Sequence, residues 1–420
     1  MKYFLLTLII GLCGFNAHAQ RSCTTNEYWQ NQLKADPALQ LRYLQIQSSN
    51  AVKPVGSKKT QGPGVTDAPV ITIPVVVHVL FQTSQQNISD EQIQSQLNVL
   101  NNDFNKRNKD IALVPSVFSP FAADCGIRFE LATTDPRGKP TTGIIRTPTN
   151  RTSWKQDDQM KFTASGGSDA WNSRSYLNIW VCNLSNSILG YSTFPGAAPE
   201  KDGVVIRTDV FGISRNNNTP YNLGRTTTHE VGHWLNLKHL WGDADCGNDG
   251  VADTPPQKTF NSGCPSFPQV NVTGCNPDPS GDMFMNFMDF TDDVCLHMFT
   301  NGQKERIRQL FAASGARESL LYSDGLRIQQ PDDPSSATAG EGTRRLSVVP
   351  NPAAVAITLQ IENQLLSSGY SYTIYDVNGR TITSGRYSGN AISVKALQQG
   401  IYFIHLRRDE QTMVTKFLKQ

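Results

Sequence analysis

After an apolar opening over residues 3–15, hydrophobic and polar positions fall into short blocks of differing period. Residues 70–81 are apolar and β-branched, which predicts a buried strand. A helix follows, in which Ser89 and Gln92 form a capping-box pair and Ile93, Leu97, Leu100 and Phe104 recur at helical spacing. Strand-like runs come next at 127–131, 176–181 and 204–208. Residues 189–194 read as an edge strand, to which an extended peptide can add by main-chain hydrogen bonds, or as a plain surface hairpin. Thr300 and Gln303, with Ile307 and Leu310, predict a last helix over 300–311. The result is an α+β unit, a twisted mixed sheet with helices against it. From 329 to 345 the composition turns to Pro, Asp, Ser, Ala, Gly and Thr, a linker. Beyond it, alternating runs at 356–361, 370–375, 392–394 and 401–406, separated by turn signals such as Asn378-Gly379, predict a small β-sandwich.

The densest chemistry lies between the strands and that last helix. Residues 229–239 read His-Glu-Val-Gly-His-Trp-Leu-Asn-Leu-Lys-His, so three of the seven histidines fall in one eleven-residue span. Side chains four apart on a helix share a face, so His229 and His233 can hold one zinc ion. Glu230 lies off that stripe and suits a general base toward metal-bound water. His239 joins only if the chain turns sharply, and Asn236, which visits the left-handed region readily, stands where the turn must be. Three nitrogens leave a fourth position open, as in catalytic rather than structural zinc sites. A bare His-Glu-x-x-His arises by chance in on the order of one in a hundred such chains. The third histidine removes most of that ambiguity.

This spacing resembles the metzincin signature, whose second hallmark is a downstream Met-turn. Asn286-Phe287-Met288-Asp289-Phe290 matches it, and the resemblance implies that Met288 lies beneath the metal. The wording around both motifs, including Thr291-Asp292-Asp293 and Cys295, is similar to the pappalysin family over roughly residues 70–325. That implies a zinc endopeptidase acting on proteins or peptides. It also implies disulfides Cys246–Cys275 and Cys264–Cys295, although the sequence alone allows other pairings. Two positions depart from the pattern. Phe290 replaces a frequent tyrosine and has no hydroxyl to donate, and Val294 stands where some bacterial relatives carry an acid and prefer Arg at P1′.

Between Cys246 and Pro256, Asp249, Asp253 and Thr254, with the Val251 carbonyl, offer hard oxygen donors suited to calcium, which bacterial pappalysins bind in this neighbourhood; a solvated acidic turn is the alternative. His78 and His297 read as packing or pocket-wall residues.

Lys2, the apolar run and Ala17-His18-Ala19 form a secretory signal, and no other run reaches eighteen apolar residues, so no membrane span is expected in the mature protein. Seven cysteines then remain in an oxidising compartment, an odd number. Cys125 and Cys182, each in a strand-like run, are expected to bridge neighbouring strands. Cys23 is left over. Either it is incidental, or its thiolate fills the open zinc position and keeps a zymogen latent. Lys58-Lys59, in a Gly- and Pro-rich stretch, marks an activation boundary.

The tail, with Val349-Pro350-Asn351-Pro352, Asp376-Val377-Asn378-Gly379-Arg380 and Gly400-Ile401-Tyr402, resembles the C-terminal sorting domain of type IX secretion cargo. It implies export and either release or surface attachment; a substrate-binding accessory sandwich is the alternative. The expected division is a signal peptide over 1–19, a propeptide over 20–67, a peptidase over 68–325, a linker over 326–344 and an Ig-like sorting sandwich over 345–420. A net charge of +2 with scattered basic residues gives no footprint for nucleic acid, and a monomer is expected. A surface adhesin retaining a metal without turnover is the rival reading, and the intact Glu230 argues against it.

Overall fold

Residues 71–81 are apolar apart from Thr72 and His78, and almost all are buried because both faces of their strand are covered. A computed structural model describes residues 23–49, 69–185, 187–214, 219–270, 275–276, 278–327, 346–361, 364–366, 369–376, 380–408 and 411–420. The expected signal peptide, the activation boundary at Lys58-Lys59, most of the linker and the Asn378-Gly379 turn lie outside the described residues. The chain divides into two units near residue 330.

The first unit opens with two helices, α1 (Thr25–Ala35) and α2 (Pro37–Ser49), which the sequence pattern did not predict. Then come β1 (Ile71–Phe81), α3 (Asp90–Asp103), β2 (Ile127–Leu131), β3 (Ile144–Pro148), β4 (Leu177–Cys182), β5 (Gly190–Ser192), β6 (Val204–Arg207), α4 (Arg225–Trp234) and α5 (Asn301–Gln309). The sheet order is β2-β1-β4-β6-β5, with β3 continuing β2's edge of β1. All pairs are parallel except β5 with β6, so the sheet is mixed and ends in a short antiparallel edge. Along β1, Ile73, Val75, Val77 and Val79 face the main core with α3 and α4, while Val76 and Leu80 pack on the opposite face. A strand buried on both sides loses the usual alternation.

Ser89 caps α3 by accepting from the Gln92 backbone N–H, but the capping box is not reciprocal, because the Gln92 amide donates instead to the Phe211 carbonyl at 2.8 Å. The box at α5 is complete between Thr300 and Gln303.

Cys246–Cys275 and Cys264–Cys295 are bonded. The expected Cys125–Cys182 bridge is absent, and both thiols are free and buried. The reason is topological: Cys125 precedes β2, Cys182 ends β4, β1 runs between those strands, and the two cysteines belong to different apolar clusters.

The second unit holds β7 (Leu346–Val349), β8 (Ala356–Ile361), β9 (Gln364–Leu365), β10 (Tyr370–Asp376), β11 (Thr381–Tyr387), β12 (Ile392–Ser393), β13 (Gly400–Arg408) and β14 (Gln411–Lys419). Its two antiparallel sheets, β11-β10-β13-β14 and β12-β8-β7 with β9, share one core of Leu359, Ile374, Ile404 and Phe417 among others, a small β-sandwich.

Candidate active site

Helix α4 is buried along its whole length and carries His229, Glu230 and His233. Its first turn is fastened to α3: Arg225 pairs with Asp103 at 3.0 Å, and the hydroxyls of Thr227 and Thr228 donate to Gln96 and Asp103. It ends at Asn236, whose φ of 72° lets the Asn236 and Leu237 N–H groups close back on the carbonyls of His233 and Gly232. That is the Schellman arrangement, and it reverses the chain within one turn. His239 returns beside the helix as a result.

The three imidazoles then face one point. Their Nε2 atoms lie 3.1 Å (His229–His233), 3.1 Å (His233–His239) and 3.3 Å (His229–His239) apart. Each Nδ1 faces an oxygen acceptor: the Phe287 carbonyl at 2.7 Å for His229, the Leu237 carbonyl at 2.8 Å for His233 and the Asp243 carboxylate at 2.5 Å for His239. Each Nδ1 therefore carries the proton and donates it, which turns three Nε2 lone pairs inward. Burial, reinforced by the neighbouring His239, pushes His233 down to about 3 and keeps it neutral. Nitrogens bound tetrahedrally to zinc at about 2.0–2.1 Å stand about 3.3 Å apart, so the donor set fits that ion.

Beneath the cluster, Asn286 and Gln303 exchange amide hydrogen bonds at 2.9 and 3.1 Å and fix the turn that presents the Phe287 carbonyl and the buried Met288. Phe290 packs 4.8 Å from His239 and 4.9 Å from Trp241, and Trp241 stacks on His239 at 4.5 Å. The phenyl ring thus walls the cluster. Val294 is 58 % exposed.

The segment before α1 crosses this centre. Cys23 Sγ lies 3.5 Å from His233 Nε2, and one donor atom from each of Cys23, His229, His233 and His239 falls within 4.8 Å of the others. Burial and then the negative charge of Glu230 push the Cys23 thiol well up, so a thiolate there needs a cation beside it. Thr25 Oγ1 donates to Glu230 Oε2 at 2.8 Å and accepts from the Ser192 N–H at 2.9 Å. Cys23 forms a parallel bridge with Gly190 on β5, and Gln156 donates to the Thr24 carbonyl at 2.7 Å. The expected edge strand is therefore occupied by the chain's own N-terminal segment.

The proposed calcium donors separate into two places. Thr254 Oγ1 lies 3.0 Å from both Asp249 oxygens and 2.9 Å from the Val251 carbonyl. Asp253 turns to α5, accepting from Thr300 Oγ1 at 2.7 Å and from the Gly302 N–H at 2.8 Å. His78 and His297 are buried, His78 in hydrogen bonds to Ser168 and Asn178 and His297 with its Nδ1 3.3 Å from an Asp110 carboxylate oxygen. Sequence reasoning missed Asp243, Thr25 and Gln156; of these only Asp243, four residues after His239, had a readable spacing.

Residues 163–312 match the peptidase family model described as Pregnancy-associated plasma protein-A. Over 254 residues the chain is 34 % identical to an extracellular metalloprotease of Arthroderma otae, covering 58 % of this chain and 78 % of that protein.

The chain belongs to the pappalysin family of metalloproteases.

Among solved structures, mature mirolysin of Tannerella forsythia with a cleaved peptide is similar at 48 % identity and a TM-score of 0.60, covering 62 % of this chain and all of that one. A mutant of promirolysin from the same organism aligns at 42 % identity and a TM-score of 0.65, covering 74 % of this pappalysin and all of its own chain. Residues 347–420 match a secretion system C-terminal sorting domain. This pappalysin is a secreted or cell-surface zinc metalloendopeptidase. Among its described residues no helix is long and apolar enough to cross a membrane.

Proposed function

We propose that the chain is a latent zinc endopeptidase in which His229, His233 and His239 hold the metal and Glu230 moves the proton. The convergence of three Nε2 atoms beside that carboxylate carries the reading. Zinc, when bound, polarises the scissile carbonyl and acidifies water. Edge strand β5 holds the substrate main chain beside the centre. Glu230 takes a proton from the attacking water and delivers it to the leaving amine. Phe290 and Trp241 exclude solvent from one side of the histidines, and Met288 supports them from below.

In the latent form Cys23 supplies the fourth donor and Thr25 engages Glu230, so both places that the reaction needs are filled from residues of the propeptide, which we place at 20–67. The neighbouring promirolysin, also a pro-form, supports this reading. We place the peptidase at 68–325, and export by the type IX machinery would use the sandwich over 345–420. Calcium is proposed at Asp249, Thr254 and the Val251 carbonyl, three oxygens within mutual reach, with Asp249 pushed up to about 6 chiefly by burial, as a carboxylate short of a cation would be. Asp253 serves there as a helix cap.

The test compares casein and peptide-library hydrolysis by the activated protein and by Glu230→Ala, with and without a chelator. The variant is expected to lose on the order of 10²–10⁴ in rate while retaining one equivalent of zinc. Equal residual hydrolysis in all arms would reject the assignment.

A further inference from the structure

Five residues beyond Cys23 the N-terminal segment seats a second side chain in the body of the unit. Tyr28 is 4 % exposed, and its hydroxyl lies 2.8 Å from both oxygens of Asp158, to which it donates. Its ring stands 4.7 Å from that of Tyr191, the middle residue of β5. Asp158 sits at φ 62°, a left-handed conformation that Asp adopts more readily than most residues. Lys161, fully buried, pairs with it at 2.9 Å, and Lys201 at 3.4 Å. Except for Gln32, which donates to the Tyr28 hydroxyl at 2.6 Å, these partners all lie outside the segment that activation would remove.

The pocket lies round the β5 edge from the reacting centre, because Tyr28 packs with Leu80, Trp180 and Val205 on the sheet face opposite α4. Thr25 touches Glu230, and Tyr28 follows three residues later on α1, a rise of about 5 Å. That distance matches one to two residues of an extended chain, at about 3.4 Å each. β5 lines both places, since Gly190 bridges to Cys23 and Tyr191 packs on Tyr28.

The charges restrict what fits. One carboxylate faces two ammonium groups, so a basic side chain adds a third cation to a buried, already compensated site, and an acidic one meets Asp158 directly. A phenyl ring fills the space against Tyr191 but leaves Asp158 without the donor that Tyr28 provides, and a site shaped for a hydroxyl discriminates against the analogue lacking it.

We propose that, once the N-terminal segment has gone, this pocket is a substrate subsite that selects a tyrosyl side chain, with Asp158 as the residue that sets the preference. The proposal rests on the peptidase reading above. Tyr28 occupies the subsite in the latent form, alongside the occupation of the metal centre by Cys23.

The experiment uses the activated full-length chain and matched quenched-fluorescence peptides. Tyr, Phe, Leu or Lys is placed in turn at each of the three positions on either side of the scissile bond. At one position Tyr is expected to exceed Phe by about tenfold in kcat/KM, with Lys poorest. Asp158→Asn should bring the Tyr-to-Phe ratio close to one. Lys201→Gln, at a half-exposed side chain that folding tolerates, should raise the Lys-to-Tyr ratio at the same position. A Tyr-to-Phe ratio near one at every position in the unmodified enzyme overturns the subsite while leaving the peptidase intact. No turnover of any peptide overturns both.

Discussion

Gly232 and Met288 approach so closely that a Cβ built on the glycine would lie 2.5 Å from the methionine sulfur. Gly232 is the fourth residue of His-Glu-Val-Gly-His, and on the exposed face of a helix Ala would be preferred there by about 1 kcal/mol. Here the sign reverses, because Met288 is fully buried and has little room to yield. Gly232→Ala is expected to destabilise the protein by about 1–3 kcal/mol and to weaken zinc retention by shifting the Met-turn. Thermal melts and zinc content of Gly232→Ala, Met288→Ala and the double variant form the check. A double variant less stable than the sum of the two singles would contradict direct crowding.

Asp243 holds His239 as carbonyl oxygens hold the other two imidazoles, but through a charged acceptor. Asp243→Asn keeps the left-handed backbone at φ 59°, which Asn tolerates, and removes the charge. Zinc affinity, measured by competition with a chelator, is expected to fall by about tenfold or more. Unchanged affinity would mean that the carboxylate serves only the local turn.

Cys23 and Thr25 close the centre by separate contacts, so their removal should have separable effects. Cys23→Ala is expected to raise the peptidase activity of the uncleaved chain by at least about tenfold, equivalent to about 1.4 kcal/mol of lost self-inhibition. Thr25→Val should raise it less, since it frees only Glu230. Initial rates on a small peptide, with intact propeptide verified by mass, decide the matter, and unchanged latency in Cys23→Ala would sink the switch.

Much of this was legible because short-range spacing encodes it. His229 and His233 are one helical turn apart, Asn236 marks the turn with its residue type, and Thr300 with Gln303 announces α5. What was not legible depends on which segments meet. The sequence offers Cys125 and Cys182 as a pair of strand cysteines, but only the order β2-β1-β4 shows that a strand separates them. Gln92 completes a capping box on paper, yet in the fold the Phe211 carbonyl, 119 residues away, takes its amide. Helices α1 and α2 escaped notice because α1 buries only Thr25, Tyr28 and Trp29, too sparse a stripe to read as a period. Composition grouped Asp253 with the calcium donors, and its contacts with Thr300 and Gly302 at the start of α5 depend on a segment 47 residues away.

His78 gives a pH dependence whose sign can be worked out. It is fully buried on β1, bonded to Ser168 at 2.8 Å and Asn178 at 3.1 Å and stacked 5.1 Å from Trp180. Burial pushes it down to about 4 from an ordinary 6.5. The stability tied to its neutral form is complete above about pH 6.5 and is lost as pH falls toward 4, because the unfolded chain takes up a proton that the folded one refuses; the loss is about 2 kcal/mol by pH 5. Carboxylates raised chiefly by burial act in the opposite sense: Asp103 at about 7 and Asp249 and Asp282 at about 6 accept protons in the folded state first, which favours folding as pH falls. The raw pH profile therefore mixes both signs, and the difference between the wild type and His78→Gln isolates the histidine. Between pH 7 and pH 5 the melting temperature of the wild type should fall further, or rise less, than that of the variant. Parallel profiles would show that His78 titrates normally and that the pocket of Ser168, Asn178 and Trp180 admits its charge.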